Sequence, residues 1–266
     1  MDFTVFYAWQ NDRSANTNRF LIRDAAKGAI KKVYKDSEVE ESPRLDHDTK
    51  DAPGLAEVAS TIFRKIEGCG LFLADLTFVG SSEEREGKES KLLPNSNVVL
   101  ELGYAARSVG WERVIAVMNT AYGPPSQMIF DVLHRRWPIE FELEEGETGR
   151  ISEVRAALAG KIETWIRGAL KSEHAKVDEA IKSLDVDCMK IMSEAGAKDC
   201  FSEPTEVDGR FLFHYTLRKL ATLRLLDLRL LEARYDPAQN LYAYHWTYLG
   251  RLALTKLGIS KQYRSS

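Results

Sequence analysis

The chain has 266 residues, 44% of them apolar, and a formal net charge of -3. That length accommodates one large domain or two smaller ones, and the absence of any apolar run of about 18 residues excludes a membrane-spanning helix. Three widely spaced cysteines (Cys69, Cys188, Cys200) and five scattered histidines make neither a disulfide framework nor a ligand pattern, so a reducing compartment and no metal are expected.

Met1-Asp2 leads straight into an apolar run with no basic segment before it, so no signal peptide is expected and the location is read as cytoplasmic. The near-neutral total conceals an asymmetry. Residues 1–170 hold 22 Lys or Arg against 27 Asp or Glu, whereas the stretch from Gly209 onward holds ten basic residues against three acids. A basic tail of this kind is either a solvated face or a nucleic-acid footprint.

Phe3 to Ala8 is apolar almost throughout and reads as a buried strand running into the polar loop Trp9-Gln10-Asn11-Asp12-Arg13-Ser14. A helix is predicted from Asn16 to Tyr34, with Phe20, Ala25, Ile30 and Val33 inward. Pro43 to Asp46 is a short second strand, followed by a polar loop to Gly54. Leu55 to Glu67 is a helix with Val58, Ile62 and Ile66 at four-residue steps, and Leu71 to Asp75 is a third strand. The charged stretch Gly80 to Ser90 is expected to be an exposed, mobile loop. From Pro94-Asn95 a helix runs to about Gly110. On it Asn97, Glu101, Tyr104 and Ser108 share one face while Val98, Leu102, Ala105 and Val109 share another. A fourth strand (Arg113 to Asn119), a short helix (Met128 to Leu133), an edge strand (Trp137 to Phe141) and an amphipathic helix (Arg150 to Leu170) follow.

Apolar strands alternating with helices specify a parallel sheet covered on both faces. The expectation for residues 1–170 is therefore an α/β domain with a flavodoxin-like, five-stranded parallel sheet. Residues 171–266 read differently: a helix from Lys176 to Ala195, an acidic link from Lys198 to Gly209, and a helix from Phe211 to Leu226. Strand-like runs at Leu228 to Tyr235 and Leu241 to Trp246 then flank the turn Asp236 to Asn240, and Thr247 caps a last helix. That order suggests a smaller winged-helix-like α+β module.

In a doubly wound sheet, ligands sit beyond the carboxyl ends of the strands, where strand order reverses. This rule collects Tyr7, Ala8 and Trp9 from the first strand, Asp46 from the second, Asp75 from the third, and Asn97 and Glu101 from the helix after it. An acid so early in an apolar helix is costly to hide. It faces a cleft, pairs with a cation, or answers the helix dipole.

Pro94-Asn95 followed by Asn97-Val98-Val99-Leu100-Glu101-Leu102-Gly103-Tyr104-Ala105 resembles the motif of bacterial TIR-like predicted nucleotide-binding domains. Leu45-Asp46-His47-Asp48-Thr49-Lys50, Ile66-Glu67-Gly68-Cys69 and Phe72-Leu73-Ala74-Asp75-Leu76-Thr77 resemble the same family at matching positions. The resemblance covers about residues 1–170. It implies a TIR-like NADase fold, cleavage of NAD at the nicotinamide N-glycosidic bond or formation of cyclic ADP-ribose variants, and a role in antiphage defence or stress. It also implies that Glu101 is the catalytic acid and that homo-oligomers form on activation.

NAD is then a substrate, with no separate cofactor. The chemistry suits the residues: an oxocarbenium-like sugar needs an anion nearby. Trp9 or Tyr7 would stack on a base, and Arg13 or Arg44 would meet the diphosphate. Asp46 and Asp75 would accept ribose hydroxyls or order the loops, and Asn97 and Tyr104 would complete the substrate face. Gly103 and Gly110 make no dinucleotide fingerprint, which argues against a redox role for NAD. Two departures stand out: Tyr7-Ala8-Trp9 lies where many relatives place a small polar residue, and the loop from Gly80 is unusually charged.

Two other readings stay open. One is a nucleoside or nucleotide N-glycosidase or deoxyribosyltransferase that uses Glu101 as nucleophile. The other is a non-catalytic nucleotide sensor whose second module binds DNA through Arg218, Lys219, Arg224, Arg229 and Arg234. Leu217, Leu220, Leu223 and Leu226 alternatively suit dimerisation of that module.

Overall fold

The computed structural model describes residues 3–36, 44–46, 55–83, 90–128, 137–203, 212–237 and 240–259. Two compact units divide the chain, Asp2–Ala169 and Leu170–Ser266. The first contains β1 (Thr4–Ala8), α1 (Arg19–Asp36), β2 (Arg44–Asp46), α2 (Leu55–Glu67), β3 (Leu71–Asp75), β4 (Phe78–Ser81) and β5 (Leu92–Pro94). It continues with α3 (Ser96–Ser108), β6 (Val114–Asn119), β7 (Ile139–Phe141) and most of α4 (Ile151–Lys182).

Five strands form one all-parallel sheet in the order β2-β1-β3-β6-β7. All five side chains of β3 are buried, as are the last four of β1, because helices cover both faces of a parallel sheet. Phe6 and Phe72 stack at 5.8 Å and pack in one core with Val98, Leu102 and Ala105 of α3. The alternate β1 residue Tyr7 turns the other way and donates its hydroxyl to the Arg19 carbonyl of α1. Each fully buried Leu, Ile or Phe in this core stabilises the fold by roughly 1.5–3 kcal/mol.

In α1 the buried stripe is Leu21, Ile22, Ala25, Ala26, Ala29 and Val33. Phe20, expected inward, is 37% exposed, with the Arg23 guanidinium 4.7 Å above its ring. The segment expected as a single loop from Gly80 is entered through a hairpin, in which β4 pairs antiparallel with β5. Pairing between strands separated by a charged connection leaves little trace in local composition. Residues 84–89 of that loop, and the helix predicted at Met128 to Leu133 beyond Met128 itself, lie outside the described residues.

The helices predicted as Arg150 to Leu170 and Lys176 to Ala195 are divided differently. Helix α4 continues to Lys182, since no Gly or Pro lies between Leu170 and Lys182 to stop it, and α5 (Val186–Ala195) follows. The break falls at Asp185, whose carboxylate accepts the Cys188 N–H at 2.8 Å and caps the new helix.

The second unit adds β8 (Cys200–Ser202), α6 (Leu212–Asp227), β9 (Leu231–Asp236), β10 (Leu241–Trp246) and α7 (Tyr248–Lys256). Its antiparallel sheet runs β8-β10-β9. The short strand β8 was not legible inside the acidic link. Phe201 anchors it, with its ring 5.5 Å from Tyr244 and 6.1 Å from Trp246. Trp246 donates its indole N–H to the Ala195 carbonyl at 3.1 Å, and the Thr247 hydroxyl accepts the Gly250 N–H at 3.0 Å. Among the described residues, no helix is long and apolar enough to cross a membrane.

Candidate functional site

Strand order reverses between β1 and β3, because the chain passes from β1 to β2 on one side and then to β3 on the other. A cavity of about 410 Å³ opens at the carboxyl end of β1. Its walls are Phe6, Tyr7 and the loop Trp9 to Asp12, the start of α3 with Asn95, Asn97 and Glu101, and Ile62 of α2. That volume suits a small organic ligand.

The placement of Glu101 follows from the apolar stripe beneath it. Val98, Leu102 and Ala105 are buried against the sheet and fix the rotation of α3, which leaves Asn97 and Glu101 turned to the cavity. Asn95 caps the helix: its side-chain oxygen accepts the N–H groups of Asn97 at 2.9 Å and Val98 at 3.1 Å. The same side chain donates to the Asp12 carboxylate at 2.6 Å, tying α3 to the β1 loop. Burial pushes the Glu101 carboxyl up to about 7, and burial is the one cause of that shift. It forms no ion pair among the described residues.

The structure thus brings Tyr7, Trp9, Asn97 and Glu101 to one cavity, whereas Ala8, Arg13, Asp46, Asp75 and Tyr104 are not among its described walls. One face of Trp9 is already covered, since the Arg19 guanidinium lies 3.4 Å from the ring centroid. Ala8 is buried in the core. Arg13 donates from Nε to the Phe78 carbonyl at 2.8 Å and stacks 4.1 Å from the Tyr122 centroid, so it braces β4 rather than lining the cavity. Asp46 pairs with Lys65 at 2.9 Å. Tyr104 stacks on Phe63 at 4.2 Å and donates to Glu67, which pushes its hydroxyl up to about 12. Asn97 lines the cavity one turn before Glu101, the helix cap itself being Asn95. Arg44 opens β2 opposite Thr4, and its side chain lies outside the described residues.

Asp75 is fully buried. Desolvation raises its pKa against the opposing hydrogen bonds of Thr77, Asn18 and Gln10. It belongs to a polar network that sequence reasoning missed. Gln10 Nε2 donates to Asp75 Oδ2 at 3.2 Å, and the Thr77 N–H to Asp75 Oδ1 at 3.1 Å. Asn18 Nδ2 donates to the Thr77 hydroxyl at 2.9 Å, which also accepts the Asn119 N–H at 2.9 Å. Asn119 Nδ2 then bonds the Leu143 carbonyl at 2.8 Å. Gln10, Thr77 and Asn119 all stand at or just past a strand's carboxyl end, and that position is the signal by which they were findable.

In the second unit, three of the four arginines considered for DNA face carboxylates. Arg218 pairs with Glu194 and Glu203, Arg224 with Asp185, and Arg234 with Glu232. Among the described residues no group of three His, Cys, Asp or Glu side chains is gathered to hold a metal. Neither a protein-family model nor a curated protein sequence matches the chain.

Proposed function

We propose that residues 1–170 form a TIR-like domain with a flavodoxin-like sheet that cleaves NAD at the nicotinamide N-glycosidic bond, and that residues 171–266 form a winged-helix-like module. The observation that carries this reading is the Glu101 carboxyl: half-buried, without a cationic partner among the described residues, and lining the cavity at the strand-order reversal.

Cleavage sends the electron pair of the C–N bond to the nicotinamide nitrogen, which neutralises the ring and leaves a cation on the ribose carbon. Ionised Glu101 in a poorly hydrated cleft stabilises that cation. Water, or a nucleophile within the same molecule, then adds to the ribose carbon, giving a linear or a cyclised product. Trp9 and Asn97 line the same cavity and orient the ligand there.

The test is nicotinamide release from NAD, with products separated by chromatography. Release that persists in Glu101→Gln removes that residue from the reaction. A second reading, an N-glycosidase or deoxyribosyltransferase acting on phosphate-free nucleosides, is favoured by the acids Asp12 and Glu101 among the described lining residues. A ribosyl adduct on Glu101, seen as a mass shift, distinguishes it.

A further inference from the structure

We propose that Gln10 donates a hydrogen bond to a neutral oxygen of the substrate, and that Asp75 is the positioning residue that holds the Gln10 amide for this purpose. The inference rests on the NAD-cleaving reading and adds a residue to it.

Gln10 is 2% exposed, yet it lines the cavity. A backbone N–H can only donate, so the 2.9 Å bond from Arg13 N fixes which end of the amide is oxygen. Nε2 must then face Asp75, to which it donates at 3.2 Å. An amide nitrogen carries two hydrogens. The second has no acceptor among the described residues.

Asp75 cannot turn to release the clamp, because its other oxygen accepts the Thr77 N–H at 3.1 Å and the residue is fully buried. A buried donor left unsatisfied is costly. A ligand oxygen in the cavity removes that cost. The ribosyl-nicotinamide end of NAD offers two kinds of good neutral acceptor, the ribose hydroxyls and the carboxamide oxygen, the ring oxygen being a poor one because it gives electron density to the developing cation. Both belong to the chemistry that a lone N–H recognises.

The experiment measures KM and kcat for nicotinamide release from NAD and from its thioamide analogue, in which sulfur replaces the carboxamide oxygen. Gln10→Met is expected to raise KM for NAD about tenfold with kcat largely retained. If the acceptor is the carboxamide oxygen, the wild-type preference for NAD over the thioamide disappears in this variant. If it is a ribose hydroxyl, both substrates weaken equally. Asp75→Asn must keep its oxygen on the Thr77 N–H, which sets its NH₂ against Nε2; turning Gln10 over would only set Nε2 against the Arg13 N–H, so the Gln10 amide is displaced from its clamp. KM therefore rises here too, and Asp75→Asn adds nothing in the Gln10→Met background.

A purely structural role for Asp75 lowers the active fraction, hence kcat, at unchanged KM, and that result overturns the positioning assignment. Gln10→Met with wild-type KM on both substrates overturns the Gln10 assignment and leaves NAD cleavage standing. Wild-type protein that releases no nicotinamide overturns both.

Discussion

Asn95 and Asp12 lie 83 positions apart in the chain and meet at 2.6 Å, side-chain amide to carboxylate. Through that bond the residue that starts α3 is also the residue that fixes the loop after β1, so one side chain sets the distance between two walls of the cavity.

Asn95→Ala removes the cap and the link together. The expected loss is about 1–2 kcal/mol of unfolding free energy, the usual cost of losing an N-cap. It is accompanied by a rise in KM for NAD at constant kcat. Urea unfolding measures the first and steady-state kinetics the second. Asn95→Asp keeps the cap but sets its carboxylate against Asp12, so it is expected to retain stability better than substrate affinity.

The Glu101 carboxyl, raised to about 7, makes the reaction pH-dependent, since the ionised form is the one that stabilises a sugar cation. The kcat/KM for NAD is expected to rise with pH through a midpoint near 7. Glu101→Gln is expected to lower it by about 10²–10³-fold. Stability moves the other way. A carboxyl whose folded value exceeds its unfolded value contributes stability below the unfolded value, and that contribution is lost as pH rises through about 7. Glu101→Gln should therefore melt above the wild type at pH 8 and not at pH 4. A melting difference independent of pH would sink the assignment.

Asn119 is fully buried and holds the loop after β7 with both ends of its amide, donating to the Leu143 carbonyl at 2.8 Å and accepting the Leu143 N–H at 3.1 Å. Asn119→Ala leaves these groups unsatisfied, so a loss of about 3 kcal/mol is expected in urea unfolding. A loss under about 1 kcal/mol would mean that water satisfies the loop.

Gly250 lies in the first turn of α7, where an added Cβ would stand 2.0 Å from the Leu230 carbonyl oxygen. Backbone cannot yield as a flexible side chain does, so Gly250→Ala is expected to displace α7 from β9. Hydrogen exchange should show lost protection across residues 186–256 while the parallel sheet stays protected. Uniform protection throughout the chain would contradict the close approach.

Much of the first unit was legible in the sequence because its signals are local. Apolar runs marked β1, β3 and β6, and the three-and-four spacing of Val98, Leu102 and Ala105 marked the buried face of α3 and so the direction of Glu101. The fate of the polar residues was not legible. A Tyr on the same helix face as Glu101 looks like a site residue until Phe63 and Glu67 of α2 are seen to hold it. Arg13 looks like a phosphate ligand until Phe78 takes its guanidinium.

The sequence by itself determined the alternation of strands and helices, the apolar faces, and the candidacy of Glu101, because each depends on side chains within one or two turns of one another. Only the tertiary structure decided which polar groups reach the cavity. Gln10, Asp75, Thr77, Asn18 and Asn119 meet across as many as 101 positions of sequence separation. A hydrogen bond depends on distance in space, to which a one-dimensional pattern is blind.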